Sequence, residues 1–187
     1  DMAEGAFAIV NLAGAGVAEG RWTDRRREAI RSSRVNAGRA VMDCLARLAE
    51  PPKVLVQGSA VGYYGLDAED CPEDRGPGTG FLADVCREWE ASTAKAQELG
   101  VRRVVIRTGV VLGDGGALEK MLFPFRLGLG GPLGSGRQPF PWIHMDDQVG
   151  AMIHLLENEG VSGPFNLTAP EPPDQKTFAR VLGKVLR

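Results

Sequence analysis

The sequence predicts an α/β fold in which helices cover both faces of a parallel β-sheet. Short apolar segments alternate along the chain with longer segments of helical periodicity, and the short segments are apolar throughout. Strands that are apolar on both faces are typical of a parallel sheet covered on both sides. Glycine supplies 25 of the 187 residues, which predicts many tight turns and close backbone contacts of the kind that ligand sites use.

The first half of the chain is predicted to hold two strands and two helices. Thr23 or Asp24 is the expected N-cap of a long helix, because an apolar stripe at helical spacing follows and ends at Pro51-Pro52. The predicted order is strand 6–12, helix from Thr23 or Asp24 to Pro51, strand 53–58, a Gly/Pro/Asp-rich loop 62–80, and helix 81–98.

The second half continues the alternation. The run Gly113–Gly116 interrupts the chain, and Asp146 or Asp147 is the expected start of a helix that ends near Glu157. The predicted order is strand 103–108, helix 117–127, a Gly/Pro loop 128–141, the helix from Asp146 or Asp147, strand 164–168 and helix 174–187.

Composition excludes several classes of protein. No apolar run is long enough to span a membrane, and no basic-then-apolar leader opens the chain. Three widely spaced cysteines favour a reducing, cytoplasmic location, and two histidines make a zinc site improbable, so no metal is expected. A net charge of −2 gives no general attraction to nucleic acid or membrane.

A glycine run follows the first predicted strand. Gly14, Gly16 and Gly20 are similar to the dinucleotide fingerprint G-x-G-x-x-G, but the spacing is one residue too long. The helix starts only at Thr23, and the next strand ends at Gln57-Gly58 without the acidic residue that the fingerprint requires. We therefore interpret the run as a loop after an internal strand of the sheet.

Several segments, taken in order, resemble the extended short-chain dehydrogenase/reductase family. Their set covers essentially the whole chain and is most similar to an atypical NAD(P)-dependent, sugar-nucleotide-epimerase-like and cell-division-inhibitor-like subgroup. The segments are Asn11–Gly14, Arg21-Trp22, Gly58–Gly65, Trp89-Glu90, Arg107–Gly113, Pro124–Pro132, Gly134–Gln138 and Trp142–Asp147.

The resemblance implies a Rossmann-like sheet that binds NADP or NAD and a small-molecule substrate. Members of the family begin with a β-α-β-α-β unit that carries the phosphate loop, so we expect this chain to be part of a longer protein. It is interpreted as a single domain, 1–187, in which 114–145 and 164–187 contribute to the substrate-binding part. Extended members often pair through a helix bundle, and the resemblance implies a homodimer in which this bundle includes helices 24–49 and 81–98.

The Tyr-x-x-x-Lys pair of hydride-transfer members is absent. The tyrosines are Tyr63 and Tyr64, and the residues four positions later are Asp67 and Ala68. If Trp89-Glu90 anchors the alignment, Leu82 and Cys86 occupy the Tyr and Lys positions. The usual relay, in which Lys lowers the pKa of Tyr one helical turn away, cannot operate.

Three residues are candidates for catalysis. By resemblance, Ser59 bonds a substrate carbonyl or hydroxyl; the alternative is a serine that closes a strand and bonds local backbone. Tyr63 or Tyr64 could replace the missing acid/base; the alternative is an aromatic plug under a Gly-rich loop. Cys86 is interpreted as a small buried hydrophobe.

Arg34 interrupts the apolar stripe of the long helix. A cation on a core-facing stripe must be paired or reach a ligand, so we consider a phosphate or cofactor contact, a buried ion pair, or a snorkelling side chain. Arg25–Arg27 is interpreted as a solvated face. The predicted cofactor-binding residues are Leu12, Ala13, Gly14, Arg34, Gly58, Thr108, Gly109 and Val110.

The loop 128–141 and the segment after it are predicted to shape the substrate pocket through Arg137, Trp142 and His144. A guanidinium suits a carboxylate or phosphate, and His144 either orients substrate or bonds local backbone. Sugar-nucleotide epimerases carry Arg-Asp before this segment, whereas this chain has Phe140-Pro141. That departure weighs against a nucleotide-sugar substrate.

The leading hypothesis is an NAD(P)-dependent oxidoreductase or epimerase-like enzyme that acts on a small hydroxyl or carbonyl substrate. The absent Tyr-Lys pair supports an alternative, a non-catalytic NAD(P)-binding regulatory protein. Nucleic-acid binding through Arg25–Arg27 is a weak third hypothesis, because no base-stacking aromatic residues accompany the run.

Overall fold

The computed structural model describes residues 3–66 and 70–186 and confirms the α/β, Rossmann-like fold class. The strands are β1 (Ala8–Asn11), β2 (Val54–Ala60), β3 (Arg102–Thr108), β4 (Val110–Leu112), β5 (Trp142–His144) and β6 (Gly163–Leu167). The helices are α1 (Asp24–Leu45), α2 (Phe81–Ala91), α3 (Gly116–Arg126), α4 (Met145–Glu157) and α5 (Gln175–Val185), with short 3₁₀ turns at Val61–Tyr64 and Ala94–Leu99.

The chain forms two compact units. The first unit comprises Asp1–Arg107 and Met152–Asn166, and the second comprises Thr108–Ala151 and Leu167–Arg187. One sheet has the strand order β1-β2-β3-β6, and β4 and β5 form a two-stranded sheet. Among the described residues, no helix is both long and apolar enough to cross a membrane.

The two central strands carry the core of the first unit. β2 and β3 bury their aliphatic side chains almost completely, as the uninterrupted apolar pattern predicts. Burying one such side chain stabilises a fold by about 1.5–3 kcal/mol. β1 pairs in parallel with β2, with Asn11 opposite Gln57, which aligns the carboxyl ends of the two strands.

The starts of α1 and α5 agree with the capping residues that the sequence offers. Thr23 caps α1 by accepting a hydrogen bond from the Arg26 amide, and Asp174 caps α5 by accepting one from the Thr177 amide. Two residues of the predicted apolar stripe of α1, Ile30 and Leu45, are buried. The other three are half-buried, namely Ala37, Val41 and Leu48.

The predicted helix 81–98 is interrupted. α2 ends at Ala91, and a 3₁₀ turn follows from Ala94 to Leu99. Ser92 bonds its hydroxyl back to the Trp89 carbonyl, and the fully buried Thr93 hydroxyl bonds to side chains of the sheet. Side chains that take backbone partners or reach into the core compete with regular helix.

β4 and β5 were not predicted as strands. Each is only three residues long, and they pair in parallel with Val110 opposite Trp142. Gly109 and Gly113 flank β4, so its apolar residues look like part of a loop. Their strand conformation depends on a partner more than 30 residues away, which no local pattern reveals.

Candidate active site

Ser59 lies at the carboxyl end of β2, and its hydroxyl is hydrogen-bonded to a carboxylate, that of Glu90. The residue is 6% exposed, and its Oγ donates a hydrogen bond of 2.6 Å to Glu90 Oε1. Helix α2 packs on β2 and presents Glu90 one turn after Cys86. The proton of Ser59 is therefore directed at Glu90, and its lone pairs are left for any further partner.

Arg107, from the end of β3, neutralises Glu90. Its Nε donates to Oε1 at 2.9 Å and its Nη2 to Oε2 at 3.0 Å. The two side chains are 4% and 13% exposed. A bidentate guanidinium–carboxylate pair of this kind fixes orientation as well as charge.

The sequence-based site did not include Glu90 or Arg107. Both stand inside the segments that carry the family resemblance, and a cation at the end of an otherwise apolar strand was a usable signal. That signal shows that Arg107 needs a partner, but it does not say which acid supplies it.

The two tyrosines have different environments. Tyr64 is 4% exposed, and its hydroxyl accepts from Arg107 Nη1 at 2.9 Å and donates to Asn166 Oδ1 at 2.8 Å. The Tyr63 ring instead lies over the Arg107 guanidinium, 3.6 Å from ring centroid to Cζ. Tyr64 therefore has the environment of the buried-plug alternative, whereas the Tyr63 ring packs against the Arg107 cation.

Burial and charge act in opposite directions on these groups. Burial alone would lower the pKa of Arg107, but hydrogen bonds to Glu90 and Tyr64 raise it above its ordinary value. Burial raises the pKa of Tyr63, and the Arg107 charge only partly offsets this. Arg107 is therefore a permanent cation, and Tyr63 carries its proton at neutral pH. Burial likewise raises the pKa of Cys86, which supports its interpretation as a small buried hydrophobe.

A second polar chain joins β1, β2, α2 and β3. Gln57, which is fully buried, accepts at Oε1 from Asn11 Nδ2 at 2.9 Å and from Thr93 Oγ1 at 3.1 Å. Thr93 Oγ1 in turn accepts from Arg103 Nε at 3.0 Å, and Arg103 Nη2 donates to the Glu90 carbonyl. Satisfied buried polar networks rigidify a core, so the strand ends around Ser59 are held firmly.

Arg34 docks the turn after β1 onto α1. Its Nη1 donates to the carbonyls of Ala15 and Ile30, at 2.9 and 3.0 Å, and the Ala15 amide donates to Ser33 Oγ at 2.9 Å. A side chain on Gly14 would come within 2.8 Å of the guanidinium. No carboxylate pairs with Arg34 in residues 3–66 or 70–186, so the ion-pair alternative does not apply there. Leu12, Ala13 and Gly14 are exposed.

Gly58 permits a close contact with Trp89. A Cβ at this position would lie 2.8 Å from the indole ring and 2.9 Å from the Asn11 carbonyl oxygen. The Arg34 guanidinium lies over the same indole ring, with its Cζ 5.0 Å from the ring centroid. The observed neighbours of Gly58 are thus a helix side chain and β1.

The predicted residues Thr108, Gly109 and Val110 belong to the second unit. Gly109 donates its amide to the Leu167 carbonyl, and Val110 donates to the Pro141 carbonyl. A Cβ on Gly109 would come within 2.9 Å of the Pro141 oxygen. The turn between β3 and β4 is therefore fixed by backbone bonds inside this unit.

The predicted substrate residues also lie in the second unit. Arg137 is exposed, and Trp142 accepts from the Ala169 amide at 2.6 Å through its carbonyl. His144 is exposed, and its Nδ1 accepts from the Asp146 amide at 3.2 Å. That bond supports the alternative in which His144 is a structural residue at the start of α4.

Sequence comparison places the chain among known proteins. Residues 2–168 match the family model described as the NAD dependent epimerase/dehydratase family. The chain is 40% identical over 178 residues to the epimerase family protein YfhF of Bacillus subtilis, covering 94% of this chain and 58% of the relative. It is 42% identical over 187 residues to the chloroplastic SDR39U1 homologue of Arabidopsis thaliana, covering 98% and 53%.

A solved structure supports the same relationship. The human epimerase family protein SDR39U1 (isoform 2), crystallised with NADPH, superposes with a TM-score of 0.89 at 37% identity, over 97% of this chain and 63% of that one. The chain thus spans between half and two thirds of the length of these proteins. By family model, sequence identity and fold, the chain belongs to the NAD-dependent epimerase/dehydratase family.

Proposed function

We propose that the protein is an NAD(P)-dependent oxidoreductase or epimerase-like enzyme acting on a small hydroxyl or carbonyl substrate, with Ser59 at the centre of its site. The observation that carries the proposal is the buried Ser59–Glu90–Arg107 cluster at the carboxyl ends of β2 and β3. In open α/β sheets, ligands bind at the carboxyl ends of the strands.

The described residues are compatible with a dinucleotide. Arg34 is a half-buried cation without a carboxylate partner in residues 3–66 and 70–186, which suits an electron-rich ligand. Leu12, Ala13 and Gly14 form an exposed turn beside it. Gly58, Thr108, Gly109 and Val110 complete the proposed cofactor contacts. Human SDR39U1, which was crystallised with NADPH, supports NADP(H) over NAD(H).

The chain's own groups supply orientation and proton exchange. A bound nicotinamide would supply hydride transfer. Ser59 offers lone pairs because its proton is bonded to Glu90, so it accepts a hydrogen bond from a substrate hydroxyl. Tyr63 retains its proton at neutral pH and serves as the acid. Arg107 bonds both carboxylate oxygens of Glu90 and therefore fixes the direction of the Ser59 hydroxyl.

The remaining assignments are part of the same proposal. Arg137, Trp142 and His144 are proposed to contact the substrate, within a substrate-binding part at 114–145 and 164–187. A cytoplasmic location and a homodimer also remain predictions.

Loss of the serine hydroxyl tests the enzyme directly. In the full-length protein, Ser59→Ala should abolish substrate-dependent absorbance change at the nicotinamide band while leaving NADPH affinity within about twofold. Ser32→Ala is the matched control, because that hydroxyl bonds only the Glu28 carbonyl on the surface of α1. Turnover that survives in Ser59→Ala would remove Ser59 from the mechanism.

A non-catalytic, NAD(P)-binding regulatory protein is the second candidate. It is favoured by the Ser59 proton, which Glu90 already holds, and by the Tyr64 hydroxyl, which already has two hydrogen-bond partners. This candidate predicts NADPH binding without turnover on any carbonyl or sugar substrate in a screen. Catalysis that depends on Ser59 would exclude it.

A further inference from the structure

Helix α2 carries no cation where the family's relay needs one. Leu82, Cys86 and Glu90 follow one another at four-residue spacing and so lie along one face of the helix. If Trp89-Glu90 anchors the alignment, Cys86 stands at the position that lysine takes in the Tyr-x-x-x-Lys pattern. Its thiol is buried against Ser59 and the backbone of Ala60. Arg107, from β3, is bonded to Glu90 at the end of this face, so a positive charge that is not already paired with a carboxylate must come from a further element.

Arg34 reaches this face of α2 from α1. Its guanidinium lies 5.0 Å from the Trp89 ring centroid, and it is near enough to Cys86 to oppose the burial that raises the pKa of that thiol. The absent side chain of Gly14 leaves room for it, since a Cβ there would come within 2.8 Å of its central carbon. The arginine is thereby held beside the position that lysine leaves empty.

The charge of Arg34 is not neutralised inside the described part of the chain. Nη1 has two carbonyl partners, Ala15 and Ile30, which satisfy hydrogen bonds but carry no net charge. No carboxylate in residues 3–66 or 70–186 forms an ion pair with it. A half-buried cation without a counter-ion is costly to keep, whereas Arg31, one turn earlier on α1, pairs with Glu88.

We propose that Arg34 supplies, from α1, the fixed positive charge beside Cys86 that the missing lysine supplies in other members of the family. This inference rests on the proposed function. Arg34 was expected only to contact the cofactor, and the inference specifies that the contact is with the nicotinamide ring. The role is electrostatic: Arg34 acts through its charge on whatever lies against Trp89 and Cys86.

A positive charge beside the nicotinamide ring should affect the binding of NADP⁺ and NADPH differently, because the two forms of the cofactor differ in ring charge. The nicotinamide ring is cationic in NADP⁺ and neutral in NADPH. A guanidinium beside the ring repels only the oxidised form, so it raises the ratio Kd(NADP⁺)/Kd(NADPH). A guanidinium beside a phosphate would attract both forms equally and leave that ratio unchanged.

The experiment is a calorimetric titration of NADP⁺ and NADPH into the full-length protein and three variants. Arg34→Met should lower Kd(NADP⁺)/Kd(NADPH) by about tenfold. This is the size expected when the repulsion between one guanidinium and the cationic ring, partly screened by solvent, is removed. Arg34→Lys keeps the charge and should keep the ratio within about threefold. Arg39→Met is the matched control, an exposed arginine of the same helix, and should leave the ratio unchanged.

Two outcomes would overturn the proposal. Equal loss of affinity for both forms in Arg34→Met would place Arg34 at a phosphate, and unchanged affinities would make it purely structural. If Arg34→Met does not fold, Arg34→Gln gives the same comparison, since its amide can still bond the Ala15 carbonyl. A wild-type protein that binds neither form contradicts the proposed function itself, whereas binding with an unchanged ratio contradicts only this inference.

Discussion

A buried arginine at the end of a strand is stable only because its charge and most of its donors are matched. Arg107 gives two hydrogen bonds to Glu90, one to Tyr64 and one to the Glu73 carbonyl. Breaking a buried ion pair by removing one partner costs more than the pair contributes, because the other charge stays buried. Glu90 is therefore a structural requirement as well as part of the site.

Glu90→Ala should lower the free energy of unfolding by about 3–5 kcal/mol, because it leaves the Arg107 charge buried without a partner. Urea denaturation followed by circular dichroism measures the change. Glu98→Ala, at an exposed position in the 3₁₀ turn after α2, should change stability by less than about 0.5 kcal/mol. A loss below about 1 kcal/mol in Glu90→Ala would show that water or local rearrangement rescues Arg107.

Individual site residues were only partly predictable from the sequence. Ser59 could be proposed as a candidate, since a serine at the Gly-flanked end of an apolar strand also matched a family segment. Its link to Glu90 was not, because that pairing depends on how α2 packs on β2. The same limit applies to Tyr63 and Tyr64, which are adjacent in sequence but have different roles around Arg107.

At the level of elements, the crossing of α1 and α2 depends on one glycine. Gly38 lies on α1 against Ser92, the residue that follows α2, and a Cβ there would come within 1.8 Å of Ser92 Oγ and 2.7 Å of its Cβ. Helices approach this closely only where a small residue faces the contact. The position is buried, so the helices cannot part without exposing core.

Gly38→Ala should destabilise the protein by about 1–3 kcal/mol through overpacking. Gly150→Ala, on α4 with open space around the added methyl, should stabilise it by up to about 1 kcal/mol, because alanine favours helix over glycine. Thermal unfolding of the two variants measures whether each substitution lowers or raises the stability. The same sign for both substitutions would contradict the described crossing of α1 and α2.

The cap of α5 predicts a pH dependence of stability. The hydrogen bond from Thr177 lowers the pKa of Asp174 below its ordinary value. A carboxyl group with a depressed folded-state pKa stabilises the fold above its unfolded pKa, and that stabilisation is lost as pH falls through the folded value. The difference in stability between wild type and Asp174→Ala should therefore shrink below about pH 4.

Denaturation curves between neutral pH and pH 3 measure this difference. Asp174→Asn keeps a capping side chain but does not titrate, so its difference from Asp174→Ala should stay constant with pH. A wild-type advantage over Asp174→Ala that is unchanged at pH 3 would mean that the carboxylate charge contributes nothing.

Most elements were predictable because their signals are local. Apolar runs marked β1, β2, β3 and β6, and Thr23 marked the start of α1. The end of α2 was placed too late, because the buried bonds of Thr93 to Gln57 and Arg103 stop the helix. Tertiary contacts of this kind are invisible to periodicity.

At the level of the whole molecule, the alternation of strands and helices was sufficient for the fold class. The strand order β1-β2-β3-β6 and the separate β4-β5 pair were not predictable, since they depend on pairing between distant segments. The family resemblance provided the cofactor expectation. The chain itself spans 58% of its Bacillus relative, so the activity of the whole protein is best tested on the full-length product.

The most direct test of the account is a titration of NADPH and NADH against the full-length protein, followed by nicotinamide fluorescence. If the proposed cofactor site is correct, NADPH binds saturably with a Kd in the micromolar range, and NADH binds more weakly. Absence of binding by either nucleotide to a folded, full-length protein would contradict both the enzyme and the regulatory hypothesis. It would leave a Rossmann-like scaffold whose buried Ser59–Glu90–Arg107 cluster serves another ligand.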